Sequence, residues 1–215
     1  MSADRTLSWS IVIPVKVLAR AKSRIAGISD ALRAELALAM VADTVAAAVA
    51  CPAVREVLVV TDDDAVSEVV AALGAEAIKD EPAAGLNAAL RHGAAMAAAR
   101  WPARGRAALA GDLPALSPLD LVAVLAAAAA RDQSFVPDSA GSGTTLYAVT
   151  PGTRFRPRFG PGSRAGHRRA GAAELPVAAA NGLRQDVDTL ADLRRAARLG
   201  LGPRSAALLG ELALT

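Results

Sequence analysis

Apolar and polar positions fall in blocks along this chain. Residues 8–15, SWSIVIPV, form a short β-branched apolar run, and residues 55–62, REVLVVTD, form another. Unbroken runs of this length predict strands buried on both faces, as in a parallel sheet. Residues 29–50 space their apolar positions at helical intervals behind two candidate N-caps, Ser29 and Asp30. The same period predicts helices over 64–74, closed by Gly74, and over 85–101 despite Gly93. It predicts another over 117–131, with Ser117 as cap and Pro118 in the first turn. Short strands are predicted at 75–80 and 106–112.

The second half changes character. Residues 133–151 read as two strands around a Gly/Ser-rich turn. Residues 154–172 are rich in Gly, Pro and Arg and read as a loop leading to a short helix. A strand is expected at 174–180, and a helix at 188–200 capped by Asp188 or Thr189. Alternating strands and helices predict an α/β fold of Rossmann-like type, with a mostly parallel central sheet covered by helices on both faces. Neither an internal repeat nor a low-complexity linker interrupts the pattern, so residues 1–215 are expected to form one domain.

Composition narrows the picture. Hydrophobic residues make up 53% and charged residues 21%, which is globular. Aromatics are only 3%, so Ala, Val, Leu and Ile must build the core. The net charge of +3 is mild, and cations concentrate only at 154–169 and 194–204. With so few aromatics, a base-stacking platform for nucleic acid is not expected. The one cysteine, Cys51, excludes an internal disulfide and a Cys-type metal cluster, and is expected to be a small apolar residue at a helix end. The N-terminus lacks the layout of a signal peptide, and the longest apolar stretch, 119–130, is too short to cross a bilayer. A cytoplasmic setting without a membrane partner is expected.

The informative polar residues lie at the ends of the predicted strands. After the first come Lys16, Arg20, Lys22, Ser23 and Arg24; after the second, Asp62, Asp63 and Asp64; after the third, Asp80 and Glu81. Asp112 follows the fourth, in AGDLPAL, and Asp186 and Asp188 stand in QDVDT. In a parallel sheet these loops share one edge, where open α/β folds hold their ligands. Cations beside carboxylates suit a polyphosphate and its magnesium, because Arg and Lys neutralise phosphate oxygens and Mg2+ takes one or two carboxylates. No Walker loop and no dinucleotide-binding glycine motif is present. Each element also has a plain alternative: Asp62–Asp64 and DVDT as helix caps, GSGTT as a turn, and the 16–24 cations as a solvated loop. His92 is expected to be structural, and His167 to lie in the Arg-rich loop near an anion.

The segments IPVKVLARAKSRIAG, LVVTDD, DEPAAGLNAAL, LAGDLPAL, GSGTTLY, FGPGSRAGH and QDVDTLADL occur in this order over nearly the whole chain. Together they resemble the guanylyltransferases of deazaflavin coenzyme F-420 biosynthesis. That family includes 2-phospho-L-lactate guanylyltransferases and phosphoenolpyruvate guanylyltransferases. The resemblance implies a GT-A-like nucleotidyltransferase fold, GTP as donor and Mg2+ as cofactor. It places Lys16, Lys22, Ser23 and Arg24 along the triphosphate, and Gly85 and Asn87 near the nucleoside. It makes Asp112 a metal ligand, joined by Asp188 or Asp186, with Lys16, Lys22 and Asp112 carrying catalysis. Thr145, Gly160 and Ser163 match the site for the phosphorylated three-carbon acid. Gly162 departs from the family, in which an Asp is frequent at that position. The acceptor is phosphoenolpyruvate, 2-phospho-L-lactate or 3-phosphoglycerate, and the product would be handed to the next transferase of the pathway. The competing readings are a molybdenum-cofactor or sugar-phosphate nucleotidyltransferase, or a non-enzymatic module binding an anion or RNA through residues 154–169.

Overall fold

The computed structural model describes residues 7–18, 25, 28–81, 83–178 and 181–213. Four strands run parallel: β1 (Trp9–Pro14), β2 (Val54–Val60), β3 (Glu76–Ile78) and β4 (Gly105–Leu109). They are followed by β5 (Gln133–Val136), β6 (Leu146–Val149) and β7 (Ala173–Glu174). One seven-stranded sheet results, in the order β3-β2-β1-β4-β6-β5-β7, in which β6 alone runs antiparallel to its neighbours. The expected mostly parallel α/β architecture is thus observed.

Strand residues alternate between two cores, which is why their apolar runs are unbroken. Ile11, Ile13, Val57, Val59 and Leu109 face one core, together with α1 (Asp30–Ala50), α2 (Asp64–Ala72) and α4 (Pro118–Ala128). Val12, Leu58 and Val60 face the other, with α3 (Leu86–Arg100) and the segment around Phe155. Gly93 is explained by this packing: a Cβ there would lie 2.6 Å from a methyl of Val12, so only glycine lets α3 approach the sheet so closely. Cys51 is buried at the C-terminal end of α1, as expected.

One strand and one helix cap shift from expectation. Of the strand predicted at 174–180, only Glu174 is in β7; Pro176 has no N–H to continue the ladder, and residues 179–180 lie outside the described residues. The loop 154–172 leads into α5 (Ser163–Arg169), as predicted. The cap of α6 (Leu190–Leu199) is Thr189, in a reciprocal capping box with Asp192, and not Asp188. A final helix, α7 (Pro203–Ala213), follows the last element predicted and packs on α1. Its start is capped from a distance by the buried Asp43 of α1, which accepts the Ser205 N–H at 2.8 Å and the Arg204 N–H at 3.2 Å.

Candidate active site

The carboxyl ends of β1–β5 form one edge of the sheet, and the loop 110–117 lies at its centre. Three bonds fix that loop. The Ala110 N–H donates to the Thr145 carbonyl at 2.8 Å, the Leu113 N–H to Thr44 Oγ1 at 3.0 Å, and the Gly202 N–H to the Pro114 carbonyl at 2.8 Å. A fourth bond makes the site: the Val187 N–H donates to the Asp112 carbonyl at 3.2 Å. Val187 is fully buried, and the Asp186 carboxyl beside it lies close enough to Asp112 and Asp188 to sense their charge. This approach requires Gly182 in the short 3-10 turn Gly182–Arg184, because a Cβ there would sit 1.8 Å from the Ala115 carbonyl oxygen.

The carboxylates sense one another. Burial, then Asp112, Asp138 and Asp188, push the Asp186 carboxyl from its ordinary 3.8 up to about 7. Asp138 was not anticipated from the sequence. The signal was present, since Asp138 follows β5 as Asp112 follows β4, each just beyond a buried strand. It braces the β5–β6 loop by accepting the Ser142 and Gly143 N–H groups at 2.9 and 2.8 Å. Arg184, also missed, clamps the same corner by donating to the carbonyls of Pro137, Asp138 and Val177.

The other acid run does something different. Asp63 caps α2 through Oδ1, which accepts the Ala65 and Val66 N–H groups, while Oδ2 accepts the Leu18 N–H at 2.9 Å. Asp62 accepts the Asp80 N–H, and Asp64 faces Lys79 at 3.7 Å on the surface. The plain cap reading therefore describes Asp63, while Asp62 bonds the loop after β3 and Asp64 stays at the surface. Lys16 is exposed on the loop after β1, whereas Lys22, Ser23 and Arg24 lie outside the described residues, as does Arg20.

Gly85 precedes α3 with φ +90°, and in the loop 160–163 Gly160 and Gly162 have φ +124° and +69°. Ser163 opens α5 and its N–H donates to the Gly160 carbonyl. α5 packs on the β5–β6 loop, with the Arg164 N–H donating to the Ser142 carbonyl and Thr144 Oγ1 meeting His167 Nδ1 at 3.1 Å. Thr145 and Ser163 are therefore brought to one region, each with a buried hydroxyl that has no hydrogen-bond partner among the described residues. Asn87 holds the backbone of Phe159 with both amide atoms. His167 is fully buried, stacked on Tyr147 and Phe135, and burial lowers its pKa to about 4. The expectation that it touches an anion is corrected: the ring is neutral and sealed from solvent.

These acids supply hard oxygen donors. Among the described residues no three Asp, Glu, His or Cys side chains enclose one point as a complete cage. A nucleotide-borne Mg2+ needs only one or two protein carboxylates, so the donor set fits such an ion. Among the described residues no helix is long and apolar enough to cross a membrane.

Comparison with known proteins identifies the family. The chain is 56% identical to a phosphoenolpyruvate guanylyltransferase of Thermomonospora curvata, over 98% of this chain and 92% of that one. It is 55% identical to the enzyme of the same name from Streptomyces coelicolor, over 96% and 98% of the two chains. In fold it resembles a nucleotide-diphospho-sugar transferase from Desulfovibrio desulfuricans, with a TM-score of 0.72 at 19% identity, covering 94% of each chain. A Mycobacterium tuberculosis protein solved in complex with manganese has a TM-score of 0.51 at 19% identity, covering 89% of this chain and 98% of that one. The family model described as guanylyl transferase CofC like matches residues 9–195. The chain is a nucleotidyltransferase and belongs to the CofC-like guanylyl transferase family.

Proposed function

We propose that this enzyme transfers GMP from GTP to phosphoenolpyruvate, releasing pyrophosphate, as a cytoplasmic step of coenzyme F-420 synthesis. The observation that carries the reading is the Val187–Asp112 bond, which brings Asp186 and Asp188 to Asp112 at the sheet edge. The names of the curated relatives support phosphoenolpyruvate as acceptor.

A phosphate oxygen of the acceptor attacks the α-phosphorus of GTP. The bond from that phosphorus to the bridging oxygen of the β-phosphate breaks, and pyrophosphate leaves with the electron pair. A phosphate monoester loses its second proton near pH 6, so the attacking oxygen is already ionised and needs no general base. This accords with the buried, neutral His167. The remaining difficulty is to hold two anions in line, which positioning and opposite charge overcome. Lys16 is assigned to the triphosphate, along with Lys22, Ser23 and Arg24. Thr145, Gly160 and Ser163 are assigned to the acceptor, whose carboxylate and phosphate can take the unpartnered Thr145 and Ser163 hydroxyls. Asp112 with Asp188 or Asp186 would hold Mg2+, which when bound neutralises charge on the attacking and leaving oxygens.

The test is pyrophosphate release from GTP and Mg2+ with phosphoenolpyruvate, 2-phospho-L-lactate or 3-phosphoglycerate as acceptor. Release with phosphoenolpyruvate above the others is expected. Release only with 2-phospho-L-lactate or 3-phosphoglycerate would replace the acceptor; release only from CTP with a sugar phosphate would overturn the reading.

A further inference from the structure

Residues 158 and 159 stand immediately before the loop 160–163, and three hydrogen bonds from two side chains hold their backbone. Asn87, in the first turn of α3, donates from Nδ2 to the Phe159 carbonyl at 2.9 Å and accepts the Phe159 N–H on Oδ1 at 2.8 Å. The Phe159 N–H can only donate, so the amide orientation is fixed by its partners. The Arg158 N–H donates to His167 Nε2 at 3.0 Å. The ring proton is therefore assigned to Nδ1, which faces Thr144 Oγ1 at 3.1 Å. His167 itself has little freedom, with Tyr147 at 4.8 Å, Phe135 at 5.4 Å and the edge of Phe159 at 5.8 Å. Because burial keeps this ring neutral down to about pH 4, Nε2 remains an acceptor throughout the neutral range.

The rest of the segment cannot set this conformation alone. Residues 154–159 belong to no helix or strand, and Arg106 fixes the preceding stretch by donating to the Thr153 carbonyl at 2.6 Å. Beyond Phe159 the chain turns at once, with Gly160 at φ +124° and its carbonyl accepting the Ser163 N–H. A shift at residue 159 would therefore be passed directly to the loop assigned to the acceptor. The amide of Asn87 bonds Phe159, the residue that leads into that loop, and not an element of the donor side, although Asn87 is two residues from Gly85.

We infer that Asn87 and His167 are positioning residues for the acceptor: they lock the backbone at 158–159 and so set the loop 160–163, with Asn87 tying it to the first turn of α3. This rests on the proposed reaction for the identity of the acceptor. It differs from a nucleoside contact by Asn87, because it places the effect of losing the amide on the acceptor and not on the base.

The experiment measures KM for GTP and for phosphoenolpyruvate, and the GTP-over-ATP preference, in the full-length chain and its variants. Asn87→Ala is expected to raise the phosphoenolpyruvate KM about tenfold, the effect of losing two partly buried hydrogen bonds. The GTP KM should stay within about twofold and the base preference unchanged. Asn87→Asp keeps the volume but sets a carboxylate against the Phe159 carbonyl, and should shift KM the same way if the alanine variant does not fold. His167→Gln, whose Oε1 can replace Nε2, should retain more acceptor affinity than His167→Leu. A change that falls on GTP as much as on phosphoenolpyruvate, a relaxed base preference, or a fall in kcat alone would overturn the inference. Turnover of the unaltered protein tests the reaction separately. Amide exchange at Phe159, expected to quicken in Asn87→Ala, reports the clamp even without turnover; unchanged exchange would overturn it.

Discussion

Two acid-rich stretches lie on the same edge of the sheet and fold to opposite ends. In TDDD after β2, Asp63 is engaged at once by the helix that follows and by the Leu18 N–H, Asp62 by the Asp80 N–H, and Asp64 faces Lys79 on the surface. In QDVDT the neighbouring residue takes the capping role. Thr189 and Asp192 close the box on α6, and Asp186 and Asp188 are left beside Asp112. One stretch uses its carboxylates to satisfy backbone donors; the other gathers charge until one carboxyl holds its proton to about pH 7. Counting acids cannot separate the two. What separates them is whether the fold crowds a carboxylate among other acids.

The largest expected effect breaks the gathered cluster. Asp112→Asn should lower pyrophosphate release by on the order of a hundredfold or more, because a carboxylate that would hold Mg2+ at the phosphates is lost, with thermal stability little changed. The corresponding change in the other stretch should invert that pattern. Asp63→Ala removes a helix cap and the bond to Leu18, and should destabilise the fold by about 1–2 kcal/mol in denaturant melts. Turnover per folded molecule should fall far less than in Asp112→Asn.

Acidity sharpens the contrast. The folded pKa of Asp186 is raised above its ordinary 3.8, so its contribution to stability is complete below that value and is lost as pH rises through about 7. In chelator, the unaltered protein should therefore lose melting temperature relative to Asp186→Asn between about pH 5 and about pH 8. Added Mg2+ or Mn2+ should recover the loss at the higher pH only; parallel curves for the two proteins would deny the crowding. The smallest effect is expected at Asp64, where the Lys79 pair is exposed to solvent: Asp64→Asn should leave both melting temperature and turnover unchanged within error.

Much of the fold was legible because its signals are local. Apolar runs announced β1 and β2, and the Ser117-Pro118 pair announced α4. The shortening of the strand at 174–180 to its first residue follows from Pro176, which the apolar pattern concealed. Arg184 escaped notice because it works on backbone groups of one corner, which no sequence motif marks; Asp138 stands beyond a strand end as Asp112 does, but its bracing of that corner appears only in the fold. His167 could not be placed from its Arg-rich surroundings, since those arginines are largely at the surface while the ring is enclosed by Phe135 and Tyr147.

By itself the sequence determined most of the elements, the alternation that makes the sheet mostly parallel, and hence the edge where strand-end acids collect. These follow from periodicity and backbone preference, which act over a few residues. The tertiary structure decided which acids meet. Val187 finds the Asp112 carbonyl only because Gly182 lets one loop pass against Ala115, and Thr44 of α1 holds the next residue, Leu113. Those contacts join residues far apart in the chain, and their strength depends on burial that no local stretch can report.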